Sequence, residues 1–306
     1  MHLSAKLRRI RVQILAARAW LTIAVLTAVS RTPRKFILLT GRLTGYFFYR
    51  LNAKRRRFAH INLEHCFPHW PVGKREEIAR SHFRCYGQAV IDLSVLWFSS
   101  EQRLSSYVSY RGIENWKKVQ QQGRPVIFLT PHVVSVDFAA TLLASQVPLC
   151  AMMKDFRNSV INERIIASRS RFGLSLYERS KGLRPLIRNL KNNVSCLYIP
   201  DQDFGNKNSI FVPFFGQKTA TLNTLGRMAK LTNAQVLPLH ARLDIESGQY
   251  QVVIDKPLEN FPSDDEYANA RRMNAVFEEI ITEAPEQYMW TLRWFKTRPD
   301  NGKSIY

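Results

Sequence analysis

The sequence predicts an α/β fold, a mostly parallel sheet covered by helices, preceded by an N-terminal helical segment that anchors the chain to a membrane. Two observations predict the sheet: short apolar runs of the kind that form buried strands, and helical patterns lying between several of them. A third predicts the anchor. Residues 1–60 carry fourteen Lys or Arg and no Asp or Glu, the first acid in the chain being Glu64. The formal charge of the 306-residue chain is +21, so the other 246 residues supply only +7.

Residues 14–29 are largely apolar but interrupted by Arg18; residues 36–51 are interrupted by Arg42 and Arg50. Neither is a clean run of about 20 apolar residues, the length that spans the hydrocarbon core, and no convincing signal-peptide cleavage site follows the first. Tyr46, Phe47, Phe48 and Tyr49 stand beside the basic run Lys54, Arg55, Arg56, Arg57. Aromatics next to cations suit the headgroup layer, where anionic lipids contribute about 1 kcal/mol per Lys or Arg. Residues 8–57 are therefore read as an anchor, either one tilted spanning helix or an interfacial helical pair, which divides the chain into an anchor (1–60) and an α/β domain (61–306). A nucleic-acid-binding arm and an ordinary amphipathic core helix compete with this reading. Arms that bind nucleic acid are usually polar, whereas this one is packed with Leu, Ile, Val and Phe, so no nucleic-acid partner is expected.

A turn-rich linker at 67–73 precedes a helical pattern at 75–97. Apolar strand-like runs follow at 125–130, 147–152, 194–199, 236–239 and 250–254, with helical patterns at 136–145, 158–171, 181–191 and 221–231 and a last helix near 264–283. The 45% hydrophobic content excludes a disordered chain. Cys66, Cys85, Cys150 and Cys196 form no C-x-x-C and no disulfide framework, which favours reduced thiols and a body facing the cytoplasm.

The segment 126–137, VIFLTPHVVSVD, is the most informative in the chain. A buried strand ends at Thr130, and His132 sits just past it, where ligand sites of open α/β sheets collect. Asp137 follows at the start of the next helix, from which it could reach back to one imidazole nitrogen and leave the other free as a base. No G-x-S-x-G elbow and no cysteine signals an internal nucleophile. Such a pair suits direct attack by a substrate hydroxyl on an activated acyl group; a structural His near a surface Asp is the bland alternative.

Two further regions carry candidates. Asp201 and Asp203 follow a buried strand at i,i+2; with no third ligand nearby they are expected to organise a loop or neighbouring arginines, not to hold a metal. The run 211–215, FVPFF, reads equally as a lining for an acyl-chain groove or as core. Residues 154–188 are rich in cations: Lys154, Arg157, Arg164, Arg169, Arg171, Arg179, Lys181, Arg184 and Arg188. They read as a solvated face, as a cradle for an anionic substrate or as a dock for an acidic carrier protein; Lys154, Arg164, Arg169 and Arg171, together with Asp201 and Asp203, are the substrate-binding candidates.

At this point the chain resembles the late acyltransferases of lipid A biosynthesis, the lauroyl/myristoyl type. The resemblance runs through 62–68 (NLEHCFP), the H-x4-D motif of His132 and Asp137, 200–203 (PDQD) with 211–215, and the ending 284–290 (APEQYMW) with 295–299 (FKTRP). It implies a glycerolipid-acyltransferase-like α/β fold at the bacterial inner membrane. It also implies acyl transfer from acyl carrier protein to a hydroxyacyl chain on a Kdo-bearing lipid A precursor, with His132 as base, Asp137 as its partner and no metal or nucleotide cofactor. Arg169 and Arg171 match family arginines. Lys154 stands where relatives carry Arg, and Leu292 and Trp294 where they carry His and Arg, departures that bear on the acceptor. An acyltransferase acting on another glycolipid or a lysophospholipid is the nearest alternative. A non-catalytic basic binder of membranes or nucleic acid is a second.

Overall fold

The computed structural model describes residues 2–299 and 302–306, with side chains from residue 13 onward except at 208. Three helices open the chain, α1 (His2–Ser30), α2 (Arg34–Leu51) and α3 (Ala53–Cys66), and the long α4 (Val72–Phe98) follows. The body then runs α5 (Glu101–Ser105), β1 (Val108–Arg111), α6 (Ile113–Gln121), β2 (Val126–Leu129), α7 (Val136–Leu143), β3 (Leu149–Met153), α8 (Ser159–Arg169), β4 (Ser175–Glu178), α9 (Arg184–Lys191) and β5 (Ser195–Tyr198). It continues with the hairpin β6 (Ser209–Phe214) and β7 (Gln217–Leu222), then α10 (Thr224–Thr232), β8 (Gln235–Asp244), β9 (Gln249–Ile254) and α11 (Glu266–Glu283).

Seven strands form one sheet in the order β1-β9-β8-β2-β5-β3-β4, parallel throughout except for β8 against β9. The expected mixed architecture, a mostly parallel sheet under helices, is present. Alternate side chains of each strand serve opposite faces. Ile127 and Leu129 of β2 join Cys150, Cys196 and Val236 under α9, α10 and α11, whereas Val126 and Phe128 join Leu149, Leu197 and Leu237 under α6 and α7. All four cysteines are free and buried.

Packing does not break at residue 60. Ile37, Gly41 and Gly45 of α2 are buried against α4, and the two backbones approach so closely that a Cβ on Gly87 would lie 2.2 Å from the Gly45 nitrogen. Asp92 of α4, fully buried, accepts hydrogen bonds from Gln88 Nε2 (2.9 Å), Tyr250 Oη (2.7 Å) and Arg34 Nη2 (3.1 Å), and so ties α2 to β9. Arg103 closes the C-terminus of α1, donating to the carbonyls of Ser30 (2.6 Å) and Thr32 (2.9 Å). The opposite stripe of α2, Phe36, Leu39, Leu43 and Phe47, is exposed, as are Trp20, Leu21 and Val25 of α1. Within α1, Gln13–Ser30 is long and apolar enough to cross a membrane.

Candidate active site

β2 and β5 are neighbours and parallel, so the loops leaving their C-terminal ends emerge side by side near the middle of the sheet. His132 lies in the loop after β2 and Asp201 in the loop after β5. The His132 loop is clamped from below by the chain after α11. Val133 bridges Tyr288, Val134 N–H donates to the Gln287 carbonyl (2.9 Å), and Met289 N–H donates to the His132 carbonyl (3.0 Å). Gln287 is fixed in turn by Leu243, giving to its carbonyl (2.7 Å) and accepting from its N–H (3.0 Å). This gives the 284–290 segment a physical task that its sequence did not disclose.

The expectation that Asp137 reaches back to the imidazole is corrected by this geometry. Asp201 holds the ring: Oδ1 pairs with His132 Nδ1, and Oδ2 accepts the His132 backbone N–H at 2.8 Å. The Asp201 side chain is 4% exposed and that of His132 25%, so a shielded carboxylate backs a ring that solvent or substrate can reach. Asp137, on the first turn of α7, turns instead to α8 and pairs with Arg169 at 2.5 Å. The physical reason is strand order. β5 returns to lie directly beside β2 and delivers Asp201 to the nearer side of the ring.

With Nδ1 committed to a carboxylate, its proton stays there and Nε2 presents its lone pair. The side-chain amide of Gln202 lies 3.2 Å from Nε2, with its NH2 as donor. Gln202 is not among the sequence candidates; its signals are its place between two singled-out aspartates and in the 200–203 (PDQD) run. Tyr288 is buried and stacked on Trp294 (4.7 Å), and Trp294 lies 6.0 Å from the His132 ring. Burial and then the Asp201 carboxylate push the Tyr288 phenol well above its ordinary range, so it stays neutral.

His132 and Gln202 open into a cavity of about 740 Å³, lined mostly by apolar side chains such as Val136, Ala140, Met152, Leu174, Leu176 and Leu197. Asp137, Lys154, Arg169 and Arg179 supply its charges. Among the described residues no Ser or Cys lines it. Tyr198 and Thr224, two hydroxyl groups in the wall, are bonded to each other.

The remaining sequence candidates divide. Lys154 and Arg169 face the cavity, but Arg164 and Arg171 do not. Arg164 donates to the carbonyl of Trp97 and Arg171 to that of Leu96 (3.2 Å), so both serve the last turn of α4. Helix carbonyl ends carry partial negative charge, and α4 has no basic residue of its own in that turn. Residues 164 and 169 are five apart, about 140° around a helix, which is why one faces α4 and the other the cavity. Asp203 also leaves the site: it accepts from Gly205 N–H (2.9 Å), Thr297 N–H (2.5 Å) and Thr297 Oγ1 (2.6 Å), pinning the chain end. The 211–215 run is core. Val212 and Phe214 of β6 are buried, while Phe215 and Gly216, both at positive φ (47° and 76°), make the two-residue hairpin turn.

Comparison with known proteins bears directly on this arrangement. Residues 5–297 match the family described as bacterial lipid A biosynthesis acyltransferase. The chain is 34% identical over 289 residues to a lipid A biosynthesis acyltransferase of Haemophilus influenzae, covering 94% of this chain and 90% of that one. It is 34% identical to the lipid A biosynthesis myristoyltransferase of Escherichia coli K12, over 94% of this chain and 91% of the relative. To the lauroyltransferase of the same organism it is 31% identical, over 94% of each chain. A strand-end histidine opening on an apolar cavity thus occurs in a sequence alike to these enzymes over almost its whole length, and the chain belongs to the bacterial lipid A biosynthesis acyltransferase family.

Proposed function

We propose that this protein moves a fatty acyl chain from acyl carrier protein to the hydroxyl of a 3-hydroxyacyl chain on a Kdo-bearing lipid A precursor, at the cytoplasmic face of the bacterial inner membrane. The fold is then of the glycerolipid-acyltransferase type, and anionic lipids hold the basic N-terminus. One observation carries the reading: the His132 ring is fixed by Asp201 through Nδ1 while Nε2 meets an apolar cavity that no Ser or Cys lines among the described residues. A base without its own nucleophile supports direct transfer.

In this mechanism the acceptor hydroxyl takes the place of the Gln202 amide at Nε2, gives its proton to the imidazole and attacks the thioester carbonyl. The new C–O bond forms, the C–S bond breaks, and the departing thiolate receives the proton from the imidazolium. Asp201 keeps the tautomer and stabilises the transient charge. The oxyanion needs a donor; Gln202, Lys154 and Arg169 line the cavity, and Gln202 is the one bonded to Nε2. Asp137 acts through Arg169, which it holds at the wall. No metal or nucleotide is required by these steps.

The test is an assay of the purified full-length protein with acyl carrier proteins of several chain lengths and the tetra-acylated Kdo-bearing precursor, read by mass spectrometry. One added acyl chain on the precursor is the expected product, and His132→Ala should reduce its rate by about 10²–10⁴-fold. Acylation of a lysophospholipid in preference to this precursor, or a trapped acyl-enzyme, would overturn the reading.

A further inference from the structure

Beside the catalytic cavity lies a second cleft of about 300 Å³, lined by Tyr177, Lys181, Arg184, Pro185, Arg188 and Asn189. Arg184 and Arg188 stand one turn apart on α9, and Lys181 ends the short 3-10 turn leading into that helix. All three cations are exposed, and among the described residues no ion pair or side-chain hydrogen bond engages them. Four other arginines of this stretch are engaged elsewhere: Arg164 and Arg171 serve α4, Arg169 pairs with Asp137, and Arg179 lies over the Phe204 ring. Glu178, the nearest acid along the chain, takes the Ser180 hydroxyl.

Three like charges around one concavity repel one another, an arrangement that an anion relieves. Two guanidinium forks and an ammonium group match a phosphate, with its several acceptor oxygens. The first turn of α9, with Pro185 in it and no side-chain cap, adds the positive end of a helix to the same cleft. The segment 179–183 serves both: Arg179, Gly182 and Leu183 line the catalytic cavity, and Lys181 lines this cleft.

We propose that this cleft binds a phosphate group carried by the same substrate whose reacting end occupies the catalytic cavity. The proposal rests on the function argued above for the identity of that substrate. Two sources share the chemistry: a phosphate on the headgroup of the lipid acceptor, and the phosphodiester in the prosthetic arm of the acyl donor.

The experiment compares the full-length wild type with the double variant Arg184→Gln, Arg188→Gln in two arms. One arm pairs a fixed donor with acceptor lipid bearing or lacking its phosphates. The other pairs a fixed acceptor with the acyl thioester of phosphopantetheine or of pantetheine. The wild type should prefer the phosphorylated member in one arm by about ten- to a hundredfold in kcat/KM, and the double variant should lose that preference. The arm that collapses identifies the source. Equal preferences in wild type and variant, in both arms, overturn the proposal. Should the wild type transfer no acyl group at all, a calorimetric titration with inorganic phosphate decides instead. Binding to the wild type that the double variant lacks supports the cleft, and absent or equal binding refutes it.

Discussion

Asp201→Asn separates the observed geometry from the H-x4-D reading of the motif. Both Asp201 oxygens accept, Oδ2 from the His132 backbone N–H at 2.8 Å and Oδ1 from Nδ1. An amide has one acceptor and one donor end, so it cannot serve both. If its oxygen keeps the backbone N–H, its NH2 faces Nδ1, drives the ring proton to Nε2 and fills the lone pair that should take the hydroxyl proton. If its oxygen keeps Nδ1, the NH2 opposes a buried N–H, at a cost of about 1–3 kcal/mol, and the charge that stabilises the imidazolium is gone. Either way kcat should fall by about 10²–10⁴-fold, the loss that accompanies a misplaced base or a wrong tautomer. Asp137→Asn should cost about ten- to a hundredfold, through the 2.5 Å pair with Arg169. The two classes should sort in double-mutant kinetics: Asp201→Asn non-additive with His132→Ala, Asp137→Asn non-additive with Arg169→Ala. An Asp201→Asn enzyme near wild-type rate, with Asp137→Asn as damaging as His132→Ala, would refute this assignment.

Three further outcomes follow from the packing. Arg171→Ala should lower thermal stability, by about 1–3 kcal/mol for the unpaired carbonyl at the end of α4, while acceptor KM stays within about twofold; a large KM change with unaltered stability would return Arg171 to the site. Gly87→Leu should detach α2 from α4 and destabilise the whole chain, because its first added carbon meets the Gly45 backbone at 2.2 Å; denaturant midpoints check this. His82, fully buried, is pulled from 6.5 down to about 4 by burial, against the Glu286 carbonyl that its Nδ1 meets. The unfolded chain therefore binds the proton first, so stability is complete above about pH 6.5 and falls by about 3 kcal/mol as pH drops toward 4. Urea melts at pH 7 and pH 4.5 should show that loss, and His82→Gln should shrink it.

The parts of this protein legible in its sequence are those where burial writes a pattern. β2, β3 and β5 are buried or nearly so along their length, and their apolar runs locate them to within two residues. β1 and β4, at the two edges of the sheet, mix exposed and half-buried residues and give no such run. The second half of β8 escaped for a related reason: His240, Arg242 and Asp244 alternate with Ala241 and Leu243, so the strand continues in polar dress against β9. His132 was legible because it sits where a buried strand stops. Its carboxylate partner was not, because the pairing spans 69 positions and depends on β5 inserting between β2 and β3. Local spacing favoured Asp137; strand order decided for Asp201. The cations show the same limit, since composition counts charges but cannot tell Arg164 and Arg171, which cap α4, from Lys154 and Arg169, which face the cavity.

That α2 is built into the body bears on the anchor proposed for the N-terminal segment. The buried Arg34–Asp92 pair and the Gly45–Gly87 contact fix α2 on α4, and breaking such a buried pair costs about 3–5 kcal/mol. A chain beginning at Ala59 would strand Asp92, whereas one beginning at Thr32 keeps the whole contact. α1 in turn is tied close to the candidate cavity: Asn158, at the start of α8, donates to the Leu15 carbonyl (3.2 Å), and exposed Phe156 two residues earlier lines the cavity. On the proposed function, the apolar stripes of α1 and α2 enter the bilayer surface, and these contacts carry the cavity with them. The body is then oriented by the anchor, not merely tethered. On the same proposal, a lipid would offer its hydroxyl to His132 with its other chains still among their neighbours, and the cost of leaving the membrane would not be incurred.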